Sequence, residues 1–192
     1  MIILYLHGFR SSPRSYKATL IKKRISLIEK EVAFFCPQLP PSPHKSVEMI
    51  LKIIEKFKGN FFSIIGSSLG GFYATIIAEK FGCKAALLNP AINPANDLLR
   101  YVNKNKYWHT DDTFNFKKDY IQELKKLKIS KVTFPDRYFL LASKKDEVID
   151  WKEMVNFYAS VKKKIIDSDH AISNFVNYVD LVLNFCLNEE LE

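Results

Sequence analysis

The strictest constraint in this sequence lies between residues 61 and 82. An apolar run, Phe61-Phe62-Ser63-Ile64-Ile65, leads into Gly66-Ser67-Ser68-Leu69-Gly70-Gly71 and then into a stretch with helical character. The junction contains G-x-S-x-G centred on Ser68; centring it on Ser67 puts Ile65 and Leu69 where glycines belong. A serine between a strand and a helix is forced into a sharp, strained turn. Glycines two residues to either side, Gly66 and Gly70, remove side chains that would collide there. The turn holds Oγ clear of the sheet, at a helix N-terminus whose amides favour negative charge. Such a junction needs a buried strand feeding a helix, so it commits the chain to an α/β architecture.

The rest of the sequence repeats that alternation. Candidate strands are Ile2–Leu6, Val32–Phe35, Phe61–Ile65, Ala85–Leu88, Arg137–Ala142 and Lys163–Ile166, each short and expected to be buried on both faces. Between them, Ser12-Pro13 reads as an N-cap with proline at the first helical position, followed by the stripe Ala18, Ile21, Ile25, Ile28. Val47, Ile50, Leu51, Ile54 and Phe57 form a second stripe that Gly59 is placed to end. A third helix is expected to begin at Leu69, and a last one to use Phe175, Val179, Val182 and Cys186. Pro37 to Pro43 read as a stiff connection. The 192 residues suit one domain, 1–192, with no repeat or linker to divide it. Residues 91–130, broken by Pro90 and Pro94 and rich in aromatics, read as a cap or insertion. Leu191-Glu192 are set aside as a candidate expression remnant. The expected fold is α/β: a sheet of about six mostly parallel strands with helices on both faces.

A serine hydroxyl needs a base. Of the four histidines, His170 alone follows the last candidate strand and precedes the last helix. His44 and His109 fall in the proline-rich connection and in the insertion. The base needs an acid to fix its tautomer. Asp146 follows the run Tyr138-Phe139-Leu140-Leu141-Ala142, and Ser68…Asp146…His170 is the chain order of the α/β-hydrolase fold. Glu147, Asp150 and Asp169 are rivals: Glu147 is expected to point away, Asp150 to cap a helix, and Asp169 to sit too close to His170 in sequence to reach its Nδ1. An oxyanion hole would take the backbone amides of Leu69 and of Phe9, in the loop Leu6-His7-Gly8-Phe9. Gly8 lets that loop approach substrate, and His7 is expected to brace it.

These motifs, with Ser11-Ser12-Pro13, Phe72-Tyr73-Ala74-Thr75, Leu88-Asn89-Pro90-Ala91, Pro37-Gln38-Leu39-Pro40, Asp146-Glu147-Val148-Ile149-Asp150 and Asp169-His170-Ala171, resemble the YqiA-like esterases, small bacterial α/β-hydrolases that begin at the third strand of the full fold. The resemblance spans nearly the whole chain, although residues 95–135 carry little of it. It implies a minimal α/β-hydrolase fold with a six-stranded parallel sheet, and ester or acyl-thioester hydrolysis with Ser68, Asp146 and His170 matching the triad. Two departures stand out: Lys144-Lys145 precede the acid, and Asp167-Ser168 precede the histidine, where similar proteins often have glycine. The two lysines are expected to place positive charge near the mouth of the site.

Composition narrows the remaining classes. Lysines and arginines outnumber acidic residues 29 to 21, a net charge of +8, yet the basic clusters are scattered and match no nucleic-acid motif. That charge would suit an anionic substrate such as an acyl-CoA. No apolar stretch approaches the ~20 residues of a membrane span, and the start Met1-Ile2-Ile3-Leu4 has no basic leader, so no secretory signal is expected. Three dispersed cysteines fit neither a disulfide framework nor a zinc site. The expectation is a cytoplasmic serine hydrolase that needs no cofactor or metal and acts on a small acyl ester or thioester. A non-catalytic scaffold binding a small ligand or a protein is the alternative.

Overall fold

A computed structural model describes residues 1–28, 30–57 and 59–187. Leu191-Glu192 lie outside the described residues. Five short apolar segments and one lysine-rich segment form a single six-stranded sheet: β1 (Ile2–Leu6), β2 (Ala33–Phe35), β3 (Phe62–Ser67), β4 (Lys84–Leu88), β7 (Tyr138–Ser143) and β8 (Lys162–Ile166). Their spatial order is β2-β1-β3-β4-β7-β8, every neighbouring pair parallel. Parallel neighbours need crossovers, and helices supply them on both faces.

Alternation along the central strands divides the core in two. Leu4, Leu6, Ile64, Leu87 and Leu140 face one side, where α2 (Pro43–Glu55), α3 (Leu69–Phe81) and α6 (Trp151–Phe157) pack. Ile3, Tyr5, Ile65, Leu88 and Leu141 face the other, against α1 (Tyr16–Ile25) and α7 (Val179–Leu187). The apolar runs are therefore continuous because both faces are buried.

The edge strands depart from that expectation. β2 and β8 are largely exposed, since each has a neighbour on one side only. Lys162, Lys163 and Lys164 occupy β8, where charge discourages a further strand from adding to the edge. Helix α1 also starts later than Ser12-Pro13 implies. Its N-cap is Ser15, while the Ser12 hydroxyl accepts the Arg14 N–H at 3.1 Å within a turn. The chain there is still crossing the end of the sheet. Proline does begin α2, with Pro43 following the N-cap Ser42. At the end of the chain, Phe175–Asn177 form a separate 3₁₀ turn before α7.

Between β4 and β7 the chain leaves the main sheet. It forms α4 (Pro94–Asp97), a 3₁₀ turn (Leu99–Tyr101), an antiparallel hairpin of β5 (Asn103–Lys106) and β6 (Thr113–Phe116), and α5 (Lys118–Leu127). This segment docks on the loop after β1. The Phe9 ring lies 5.1–5.6 Å from the rings of Tyr101, Phe114 and Phe116. The Trp108 N–H donates to the Arg10 carbonyl at 2.8 Å, and the Arg10 guanidinium stacks over the Trp108 ring. Most aromatics of the segment are packing residues; Tyr101 and Trp108 also line the cavity beside Ser68.

Candidate active site

β3 delivers Ser68 to the carboxyl end of the sheet. Its backbone sits at φ 55° and ψ −122°, a region that costs a non-glycine residue about 1–3 kcal/mol. The flanking glycines allow the turn by close approach. A Cβ on Gly66 would lie 2.4 Å from the Gly70 oxygen, and one on Gly70 would lie 2.0 Å from the Leu6 oxygen. Helix α3 can therefore leave directly over β1 only if both positions lack side chains. Leu69 begins that helix.

The three candidate side chains meet. The Ser68 hydroxyl donates to His170 Nε2 at 3.0 Å, and His170 Nδ1 donates to Asp146 Oδ2 at 2.7 Å. Asp146 follows β7, and its side chain is fully buried. Its other oxygen, Oδ1, accepts the N–H groups of Val148 and Ile149, both at 2.8 Å. Asp146 thus holds the proton of the neutral ring on Nδ1 and leaves Nε2 as the acceptor facing serine.

The rival carboxylates are engaged elsewhere. Glu147 Oε2 accepts the backbone N–H of His170 at 3.0 Å. Asp150 caps α6 through the Lys152 N–H. Asp169 accepts the Ser173 N–H at 2.8 Å, and that bond holds its carboxyl below the usual range.

On the opposite side stands the loop after β1. Gly8 lies against Ser68, so that a Cβ there would sit 3.1 Å from the Ser68 Cβ. Among the described residues, the N–H groups of Phe9 and Leu69 have no hydrogen-bond partner, which leaves both able to receive an oxyanion. Buried His7 braces the loop. Its Nε2 accepts the Leu39 N–H at 3.0 Å, and its Nδ1 donates to the Gly8 oxygen at 2.9 Å. Burial pulls its pKa down to about 4, so the ring is neutral.

Three participants were not anticipated. Asn89, at the end of β4, is fully buried at φ 45°. Its Oδ1 accepts the Ser143 N–H at 2.8 Å, and its Nδ2 lies within 3.2 Å of the Ser143 hydroxyl and the carbonyls of Asp169 and His170. Glu147 is the second, holding the backbone of the base. Lys17 is the third. Its ammonium donates to the Ala171 carbonyl beside His170. Lys144 and Lys145 do not take the expected place at the mouth: Lys145 pairs with Asp167 at 2.9 Å, and neither lines the two cavities that adjoin Ser68. Those cavities, about 130 and 260 Å³, share Phe9, Ser68, Trp108 and His170.

Residues 2–187 match the sequence profile of an Uncharacterised protein family, UPF0227. The chain belongs to UPF0227. This is the family of the YqiA-like proteins that its motifs resemble. Curated UPF0227 relatives include one from Shewanella woodyi, 28% identical over 107 residues, covering 54% of this chain and 58% of the relative. Another, from Serratia proteamaculans, is 26% identical over 154 residues, 78% of this chain and 77% of the relative. The chain therefore spans little more than half the length of the first and about three quarters of the second. Among solved structures, Est1E from Butyrivibrio proteoclasticus with ferulic acid bound superposes with a TM-score of 0.77 at 15% identity, covering 98% of this chain and 88% of Est1E. The UPF0227 fold seen here is thus an α/β-hydrolase fold. No helix among the described residues is long and apolar enough to cross a membrane.

Proposed function

We propose that the protein is a serine hydrolase that cleaves carboxylic esters or acyl thioesters through an acyl-enzyme on Ser68. The observation that carries this reading is the relay from Asp146 through His170 to Ser68, at 2.7 and 3.0 Å, ending on a serine held at φ 55°. A ligand-binding scaffold would gain nothing from that strain, whereas a nucleophile aimed off the sheet requires it. Est1E, which binds the carboxylic acid ferulic acid, shares the fold and supports an acyl substrate.

In the first half-reaction Ser68 Oγ attacks the acyl carbonyl while His170 Nε2 accepts its proton. Asp146 stabilises the imidazolium across the Nδ1 bond. The negative oxygen of the tetrahedral adduct faces the Phe9 and Leu69 amides, each such donor supplying about 3–4 kcal/mol. Collapse expels an alcohol or thiol, which takes the proton back from His170. Water then attacks the acyl-enzyme with the same base and releases the acid. These steps use side chains and backbone of this chain alone.

The test is the initial rate on p-nitrophenyl butyrate. Ser68→Ala and His170→Ala are each expected to lower kcat by about 10⁴ or more while the fold is retained. A folded Ser68→Ala variant with near-normal turnover would overturn the reading.

A further inference from the structure

Ester cleavage at Ser68 sends two parts of the substrate in different directions, and two cavities meet at that residue. Both are mostly apolar, and they differ in the charged side chains they present. The smaller is lined by Leu69, Leu98 and Ile149, together with the charged side chains of Arg10, Asp97 and Arg100. Burial, helped by nearby Glu153, pushes the Asp97 carboxyl up to about 6, while the Arg10 guanidinium is taken by the Trp108 ring and the Lys106 carbonyl and that of Arg100 lies over the Tyr101 ring. The larger is lined by the aromatic rings of Tyr5, Tyr16 and Trp108 and by Ser15, Lys17 and His109.

Lys17 is the informative residue. Its ammonium is half-buried, and burial lowers its pKa to about 8. It donates one hydrogen bond, to the Ala171 carbonyl, out of three available protons. Among the described residues no carboxylate forms an ion pair with it. The two that act on it from nearby are committed elsewhere. Asp146 is taken by His170, Val148 and Ile149, and Asp169 by Ser173 and Ser168. In the same wall, Ser15 Oγ is buried beside the Tyr5 hydroxyl. A cation drawn into a cavity wall without an anionic partner is costly to hold unless something pairs with it.

Resting on the hydrolase reading above, we propose that this larger cavity seats the alcohol or thiol part of the substrate and selects one that carries a carboxylate or phosphate, with Lys17 as its counter-ion. The acyl part then occupies the smaller cavity. The leaving oxygen or sulfur would depart on the Lys17 side, past His170, which both cavities share.

Three esters of matched leaving ability test this: 4-carbamoylphenyl butyrate, 4-carboxyphenyl butyrate, and 4-carbamoylphenyl hydrogen succinate. The wild type is expected to favour the 4-carboxyphenyl ester over the neutral butyrate by about tenfold in kcat/KM, the size of one charge-assisted hydrogen bond. Lys17→Gln should bring that ratio to about one, and Lys17→Arg should keep most of it. The ratio is internal to each variant, so a general loss of activity does not imitate the effect. A wild-type ratio of one or less, or a ratio unchanged in Lys17→Gln, overturns the inference. Preference for the succinate puts the anion on the acyl side and overturns it too. In the first two cases, Ser68-dependent hydrolysis of the neutral butyrate leaves the hydrolase reading standing. If none of the three esters is cleaved, both readings fall.

Discussion

The side-chain amide of Asn89 lies 3.1 Å from the carbonyl oxygen of His170, so the loop that carries His170 hangs from the end of a central strand. The same side chain joins β7 through the backbone N–H and hydroxyl of Ser143. Asp146 follows the end of β7 and His170 the end of β8. Asn89 is the buried polar group that ties these two strand ends to β4.

Asn89→Gly is the cleanest test of that tie, because glycine accepts φ 45° without strain and only the side chain is lost. The change leaves a buried N–H and two carbonyls short of partners, at about 1–3 kcal/mol for each group left unsatisfied. Urea denaturation is expected to show a loss of at least about 3 kcal/mol, and kcat to fall at least tenfold as His170 loses its anchor. Unchanged values in both measurements would mean the loop is held by other contacts.

Asp146 and Glu147 are adjacent carboxylates with different tasks. Asp146→Asn should favour the wrong ring tautomer and lower kcat by about 10⁴. Glu147→Gln keeps an oxygen to accept the His170 N–H and should change kcat by only a few-fold. Steady-state kinetics on one ester decides it; the opposite pattern would make Glu147 the orienting acid.

Much of this was legible because local chemistry and tertiary structure agree. Ile2–Leu6 reads as a strand and is one, since its residues are apolar on both faces and both faces are covered. The Ser68 elbow is legible because its glycines answer a steric demand within eight residues. Asn89 was not, because its partners Ser143, Asp169 and His170 are brought to it only by sheet order. Lys17 was hidden for a similar reason. On a helix it reads as one more solvated lysine, and only the packing of α1 beside the His170 loop turns it inward. The exposure of β2 and β8 likewise depends on their edge positions, which no local pattern encodes.

The strain at Ser68 is measurable. Ser68 is the N-cap of α3, where glycine is already better than alanine by up to about 1 kcal/mol, and φ 55° adds a penalty for any side chain. Ser68→Gly should therefore be more stable than Ser68→Ala by about 2 kcal/mol, cap preference and strain together, with both inactive. Thermal unfolding of the two variants checks this; a difference of about 1 kcal/mol or less would mean the turn relaxes without cost.

His7 makes the fold sensitive to acid at the loop that presents the Phe9 amide. Its pKa falls from 6.5 to about 4 on folding, because burial penalises the charged ring. Between those values the unfolded chain holds the proton and the folded one does not, so stability must rise with pH through that window and decline as pH drops from 6.5 toward 4. The full difference corresponds to about 3 kcal/mol. The structural reason is specific: a proton on Nε2 would confront the Leu39 N–H, which that nitrogen now accepts. Other groups titrate in the same range, so the comparison is with His7→Gln, which has no ring to protonate. Urea midpoints at pH 6.5 and 4.5 should fall further for the wild type than for this variant. Equal falls would show that His7 is protonated in the folded protein, and the neutral brace on Gly8 would have to be abandoned.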